Sequence, residues 1–198
     1  YDAGHSLLLV GNAENTAKGQ EKIYPRTDGK NGQVEWVEYT AVDGSKQHLG
    51  VYKPYHYSPS KIYKTIYVSH GGGGNESEWM TIGSIPHIMD NLIAEGEMAE
   101  AIVVTMDNQH TFGGWNYDQI AKNLQECMIP YIESHYSVSK SADDRAFCGL
   151  SMGSMTTNQM VKMIPETFRY YGAFSGGSVD LDPTHYDVDK ISGATYYL

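Results

Sequence analysis

Arg145-Ala-Phe-Cys-Gly-Leu-Ser-Met-Gly-Ser-Met155 is the stretch on which the reading of this chain turns. Its first four residues suit a short buried strand, and Met152, Met155, Gln159, Met160 and Met163 then recur at helical spacing, most simply as core. Between strand and helix, Gly149-Leu-Ser-Met-Gly153 fits G-x-S-x-G in the context where that motif has a mechanism. Such a turn closes only if its flanking residues are small, and it exposes the Oγ of Ser151. The backbone N–H of Met152, at the helix start, would then face a developing tetrahedral oxyanion. The bland alternative is a glycine-rich turn with no chemistry.

Upstream, strands and helices alternate. Val34, Trp36 and Glu38 alternate with Glu35, Val37 and Tyr39, the turn signal Asp43-Gly44 follows, and Leu49, Val51 and Tyr52 continue to Pro54. This pattern predicts an antiparallel hairpin. Thr65–Ser69 and the fully apolar Ala101–Thr105 read as strands. Ile85, Ile88, Met89, Leu92 and Ile93 read as a helix closed by Gly96, and Ile120, Leu124, Cys127, Met128 and Tyr131 as the face of another. Tyr170–Phe174 is the next strand, residues 179–192 read as loop, and Ala194–Leu198 as a strand beginning where the sequence ends. Residues 1–30 read as an arm or linker, and 31–198 as the folded domain, expected to be truncated at its C-terminus. The sum is an α/β three-layer sandwich with a mostly parallel sheet and an antiparallel N-terminal hairpin.

At 198 residues and 22.0 kDa, the chain is long enough for one domain with its own core. The net charge of −10, with no Lys/Arg cluster, argues against nucleic acid as a partner. No apolar run approaches the roughly 20 residues that span a bilayer, so no membrane partner is expected. Tyr1 opens no basic-then-apolar leader, which reads as a cytoplasmic or already processed chain. Cys127 and Cys148 are read as buried thiols, with one bridge as the alternative. The scattered His and carboxylates predict no metal site. The 16 tyrosines suit either a sugar-facing surface or core filling.

A second glycine cluster, His70-Gly-Gly-Gly-Gly74, follows the strand ending at Ser69. Glycines let backbone approach a substrate and aim an N–H at it. A phosphate loop would need Gly-Lys-Ser/Thr where Asn75-Glu76 stands. Gly72 and Met152 are therefore the candidate pair of oxyanion donors, with His70 expected to orient the loop. Loops after parallel strands line the crevice of open α/β sheets. In them, Trp115 could stack on a ring, and Asn116 or Asn108 could bond a hydroxyl. A helix entry, with Trp115 packed and Asn116 capping, is the alternative.

His70–Gly74, Gly149–Gly153 and Ala173-Phe-Ser-Gly-Gly-Ser178 together resemble the esterase-D-like α/β-hydrolases, most closely the feruloyl and acetylxylan esterases of carbohydrate esterase family 1. Ile129-Pro-Tyr-Ile-Glu133, Tyr136-Ser-Val138 and Arg145 are also similar to that family. The resemblance covers roughly residues 33–198 and implies a secreted, cofactor-free serine esterase. Its partner would be feruloylated or acetylated xylan-type polysaccharide, and it often belongs to a larger multi-module enzyme. It also implies that Ser151 is the nucleophile and that Gly72 and Met152 serve the oxyanion. In that family the acid and then the His follow the serine, which here places both beyond Leu198. Within the sequence, His185 among Asp180, Asp182, Asp187 and Asp189 is the alternative base, and a solvated acidic loop its plain reading. A non-catalytic carbohydrate-binding module of the same fold is the rival from another class.

Overall fold

Ala101–Met106 is buried at every position, as an apolar run covered on both faces must be. The computed structural model describes residues 20–176 and 182–197. Most of the expected arm and part of the 179–192 loop lie outside the described residues. The strands are β1 (Gln33–Thr40), β2 (Lys46–Lys53), β3 (Lys64–Ser69), β4 (Ala101–Met106), β5 (Arg145–Leu150), β6 (Tyr170–Phe174) and β7 (Thr195–Tyr197). Among the described residues they form one sheet in the order β1-β2-β4-β3-β5-β6-β7. Both pairings of β2 are antiparallel, and the other neighbours run parallel. The hairpin closes at Asp43-Gly44, where Gly44 adopts φ 84° and the Asp43 carboxylate accepts the Ser45 N–H at 2.9 Å.

The helices are α1 (Ile85–Ala94), α2 (Asn108–Phe112), α3 (Tyr117–Asn123), α4 (Ile129–His135), α5 (Met152–Met163) and α6 (Val188–Ile191). On one face of the sheet α1 packs Met89 with Tyr52, Val68 and Val103. On the other, Leu124, Ile132 and Met160 meet Leu49, Val104, Phe147 and Tyr171. The α1 helix ends where expected, with Gly96 at φ 72° as the left-handed C-terminal residue.

Several expectations need correction. The helix expected around Ile120–Tyr131 contains a π-turn at Leu124–Met128, in which the Ile129 N–H reaches back to the Leu124 carbonyl. Pro130 explains it: the ring has no N–H to donate and would strike the carbonyl four residues back, which a widened turn moves aside. The buried face is shifted in consequence, so Ile132 is buried while Cys127 and Tyr131 are only half-buried. Cys127 and Cys148 are free and half-buried rather than buried or bridged. Of the methionines expected as core on α5, Met152 and Met160 are buried, Met155 is half-buried and Met163 is exposed; Gly153, Ser154, Thr156 and Thr157 are buried beside them. The expected 179–192 loop contains α6. Gln20–Ile23, expected within the arm, is a 3-10 turn pinned to α1 by the Asn91 amide, which donates to the carbonyls of Lys22 and Tyr24.

Tyrosine proves to be substantially core filling: Tyr52, Tyr63, Tyr67 and Tyr171 are fully buried. Buried phenols usually find hydroxyl partners: Tyr52 donates to Asp90 at 2.6 Å, Tyr171 to the Ile164 carbonyl at 3.2 Å, and Tyr63 accepts the Ser58 N–H at 2.9 Å. Arg145 is buried too, with Glu133 at 2.7 Å and the Thr167 carbonyl at 2.8 Å. That pair ties α4 to the base of β5.

Register positions the site. Ser69 pairs with both Met106 and Gly149, and Leu150 pairs with Phe174. The loops after four parallel strands therefore start at one level, side by side.

Candidate active site

Ser151 sits at the junction of β5 and α5 with φ 56° and ψ −111°. That is a region a non-glycine residue occupies at a cost of about 1–3 kcal/mol and keeps only where its surroundings impose it. The surroundings do so. The Ser151 N–H donates to the Phe174 carbonyl at 2.9 Å. A Cβ on Gly149 would lie 2.5 Å from the Gly153 carbonyl, and one on Gly153 would lie 2.5 Å from the Ser69 carbonyl. One on Gly176 would meet the Ser151 carbonyl at 2.4 Å. The turn is closed against itself, against β3 and against the loop after β6. Ser151 starts α5 but its hydroxyl makes no cap bond to that helix. The Oγ is exposed and uncommitted to the helix, and the adjacent Met152 N–H is one of the helix's unpaired first-turn donors.

The glycine loop lies beside it. A Cβ on Gly71 would be 3.7 Å from the Ser151 Cβ. Gly74 N–H donates to the Gly71 carbonyl at 3.1 Å, and Gly73 N–H to Gln109 Oε1 at 2.5 Å. Gly72 is exposed, and its N–H has no hydrogen-bond partner among the described residues. The two N–H groups expected to serve an oxyanion thus lie on adjacent loops flanking Ser151.

His70 orients this loop, as expected. It is wholly buried, with Nδ1 donating to the Gly71 carbonyl at 2.6 Å. Its Nε2 faces the Asn108 N–H at 3.2 Å and Asp107 Oδ1 at 3.4 Å. In the neutral ring Nε2 accepts from Asn108; in the charged ring it donates to Asp107. Burial is the largest single influence on His70 and lowers its pKa, but the bonds to Asp107 and the Gly71 carbonyl, with the nearby charges of Asp107 and Glu78, together outweigh it and hold the value above 6.5. Burial likewise works to raise that of Asp107, while the bonds from His70 and His110 carry it below the ordinary range.

The loop after β4 contributes differently from expectation. Asn108, expected to bond a substrate hydroxyl, is buried and its amide donates to Ser69 Oγ at 3.0 Å. Asn116 caps α3, accepting the Gln119 N–H at 3.3 Å. Trp115 is 57% exposed, with its ring edge-on to Tyr117. Gly114, just before it, lies against Met152: a Cβ there would be 2.6 Å from the Met152 sulfur. No histidine among the described residues is hydrogen-bonded to Ser151. His185 stands one residue before Tyr186, whose ring lies under Lys162 near the far end of α5. Lys162 is eleven residues beyond Ser151, about 16 Å along the helix axis. His185 pairs with Asp182, Nε2 to Oδ2 at 3.9 Å, and makes no hydrogen bond to Ser151.

The sequence reading missed Gly176 and Gln109. Gly176 lay inside a quoted motif, but only its approach to Ser151 explains it. No local pattern marks Gln109, since its partner is 36 residues away.

Residues 40–184 match the model of the Esterase family, described as "Putative esterase". The chain belongs to that family. Among curated relatives, the chain is 34% identical over 174 residues to an endo-1,4-beta-xylanase/feruloyl esterase of Xylanibacter ruminicola, covering 82% of this chain and 24% of the relative. It is also 34% identical over 161 residues to endo-1,4-beta-xylanase Y of Acetivibrio thermocellus, covering 73% of this chain and 14% of that one. The chain therefore spans a quarter or less of these relatives. Among solved structures, the chain superposes with TM-score 0.73 on a CE1 ferulic acid esterase from Anaeromyces mucronatus in complex with ferulic acid, at 26% identity, covering 80% of this chain and 63% of that one. A mutant feruloyl esterase module from Clostridium thermocellum complexed with sinapinate gives TM-score 0.70 at 27% identity, covering 87% and 63%. The fold expected from the resemblance, an α/β-hydrolase sandwich, is the fold observed.

Proposed function

We propose that this chain is a serine carboxylic-ester hydrolase that releases feruloyl groups from xylan-type polysaccharide. The observation that carries this reading is Ser151, imposed on a strained turn with its hydroxyl exposed between the N–H groups of Gly72 and Met152. Ser151 Oγ attacks the ester carbonyl, the two N–H groups stabilise the oxyanion, and the sugar hydroxyl leaves. Water then cleaves the acyl-enzyme. An imidazole from outside the described residues takes the serine proton, since His70 has both ring nitrogens engaged beneath the loop. Trp115 offers a face for the aromatic acyl group or a sugar ring. No cofactor enters the scheme. Two relatives whose names include xylanase, one of them also feruloyl esterase, and two solved neighbours named for ferulic acid or feruloyl esters support the substrate class. Because a polysaccharide does not enter cells intact, the reading places the chain outside the cell, beside other xylan-degrading modules.

The test is hydrolysis of methyl ferulate against p-nitrophenyl acetate by the full-length protein and its Ser151→Ala variant. Turnover that prefers ferulate and falls at least about a thousandfold in the variant is expected. A preference for acetate would move the substrate to small acyl groups. Xylan binding without turnover, unchanged in Ser151→Ala, would make this a binding module.

A further inference from the structure

The three residues after β4, Asp107-Asn-Gln109, all turn toward the loop after β3. Asp107 faces His70 Nε2, Asn108 bonds Ser69 Oγ and His70, and Gln109 accepts the Gly73 N–H. The first two act on the buried base of the loop. Gln109 grips its exposed tip, at 2.5 Å, where the backbone itself closes a turn from the Gly74 N–H to the Gly71 carbonyl. Gly73 has φ +85° and nothing within 4 Å of a would-be Cβ, so packing does not hold this part of the loop. Gly72, one residue before, is in the same open space. Among the described residues, the bond that Gln109 accepts is therefore the side-chain hydrogen bond that fixes the tip.

We propose that Gln109 is a positioning residue for the reaction: by accepting the Gly73 N–H it holds the neighbouring Gly72 N–H on the oxyanion. The inference rests on the proposed ester hydrolysis at Ser151. Two consequences follow from the geometry. With its own N–H occupied, Gly73 does not compete for the developing charge, so one glycine of the cluster is singled out as donor. The amide also links the loop after β4 to the loop after β3, so the donor's place depends on a side chain that touches neither Ser151 nor the oxyanion. An oxyanion donor contributes only when it is in place before the charge develops, and its complete removal costs about 10²–10³ in kcat. Letting it drift should cost a fraction of that.

Gln109→Met keeps the length and volume of the side chain but removes the acceptor. Gln109→Glu keeps an oxygen at the same reach. For the full-length protein, kcat and KM on methyl ferulate are measured together with the rate at which a fluorophosphonate labels Ser151, a reaction that also develops charge at the oxyanion site. Gln109→Met should lower kcat and the labelling rate about tenfold with KM within twofold, while its melting temperature stays near that of the parent. Gln109→Glu should lose less than Gln109→Met, although its charge lies near the oxyanion. A Gln109→Met enzyme within twofold of the parent in both rates overturns the proposal, as does a loss that appears in KM alone. Equal losses in Gln109→Met and Gln109→Glu overturn it too, because the acceptor would not matter. Ser151→Ala, run alongside, separates the two layers. If that variant still hydrolyses the ester, the reading of Ser151 falls and this proposal with it; if it is inert and unlabelled, a normal Gln109→Met enzyme sinks the positioning role alone.

Discussion

The turn at Gly149–Gly153 and the loop at Gly71–Gly74 both set glycines beside Ser151, yet glycine is needed in each for a different reason. In the turn the requirement is space: Gly149 and Gly153 face backbone atoms at 2.5 Å from any added Cβ. In the loop most of the space is open, and what holds the chain is a set of hydrogen bonds, one donated by His70 to the Gly71 carbonyl and one accepted by Gln109 from the Gly73 N–H. One is built by exclusion and the other by attachment. The first can move only if the sheet moves with it, whereas the second can be loosened one bond at a time.

Gly153→Ala should break this contrast most forcefully. The new methyl meets the carbonyls of Ser69 and His70 at 2.5 and 2.8 Å, so we expect about 3 kcal/mol of lost stability in chemical denaturation. Turnover should fall about a hundredfold or more as Ser151 shifts. A variant of near-parental stability and rate would show that the turn relaxes as readily as the loop. Gly73→Ala has room but must hold φ +85°, and should cost about 1 kcal/mol in the same assay.

Asp107→Asn sharpens the comparison through charge. The raised pKa of His70 means that its contribution to stability is fully present below pH 6.5 and is lost as pH rises through the folded value. Without the carboxylate, burial should dominate and bring His70 below 6.5, reversing the sign of that pH dependence. NMR titration of the His70 ring measures this, and an unmoved value would remove Asp107 as the cause. Gly72→Ala, in open space at an ordinary φ, should change stability by no more than about 0.5 kcal/mol. A larger loss would mean that the loop tip is packed after all.

Much of the fold was legible because burial writes itself into local patterns. The apolar run at Ala101–Met106 and the G-x-S-x-G turn each needed only neighbouring residues to be read. What escaped depends on partners distant in sequence or on a phase change. The polar pentapeptide Asn108–Phe112 forms α2 because Asp107 caps it, accepting the His110 N–H at 2.8 Å, where composition suggested loop. The π-turn before Pro130 slides one helical face past the expected register. At the site, Ser151, Gly72 and Met152 were readable from motif and context, and the structure brings them together. Asn108 and Asn116 have the right chemistry for a substrate contact, but their amides are engaged internally. Residue type alone cannot distinguish those uses, because both need the same donor and acceptor atoms.

The anchoring of Ser151 by Phe174 also bears on how such a chain tolerates mutation. The bond runs from one backbone N–H to another backbone carbonyl, and the surfaces against which Gly149 and Gly153 close are backbone as well. No side-chain substitution in the flanking strands deletes those atoms. The loops that meet a substrate can therefore diversify freely around a serine whose position is inherited with the sheet, so new acyl specificities can arise without the nucleophile being rebuilt.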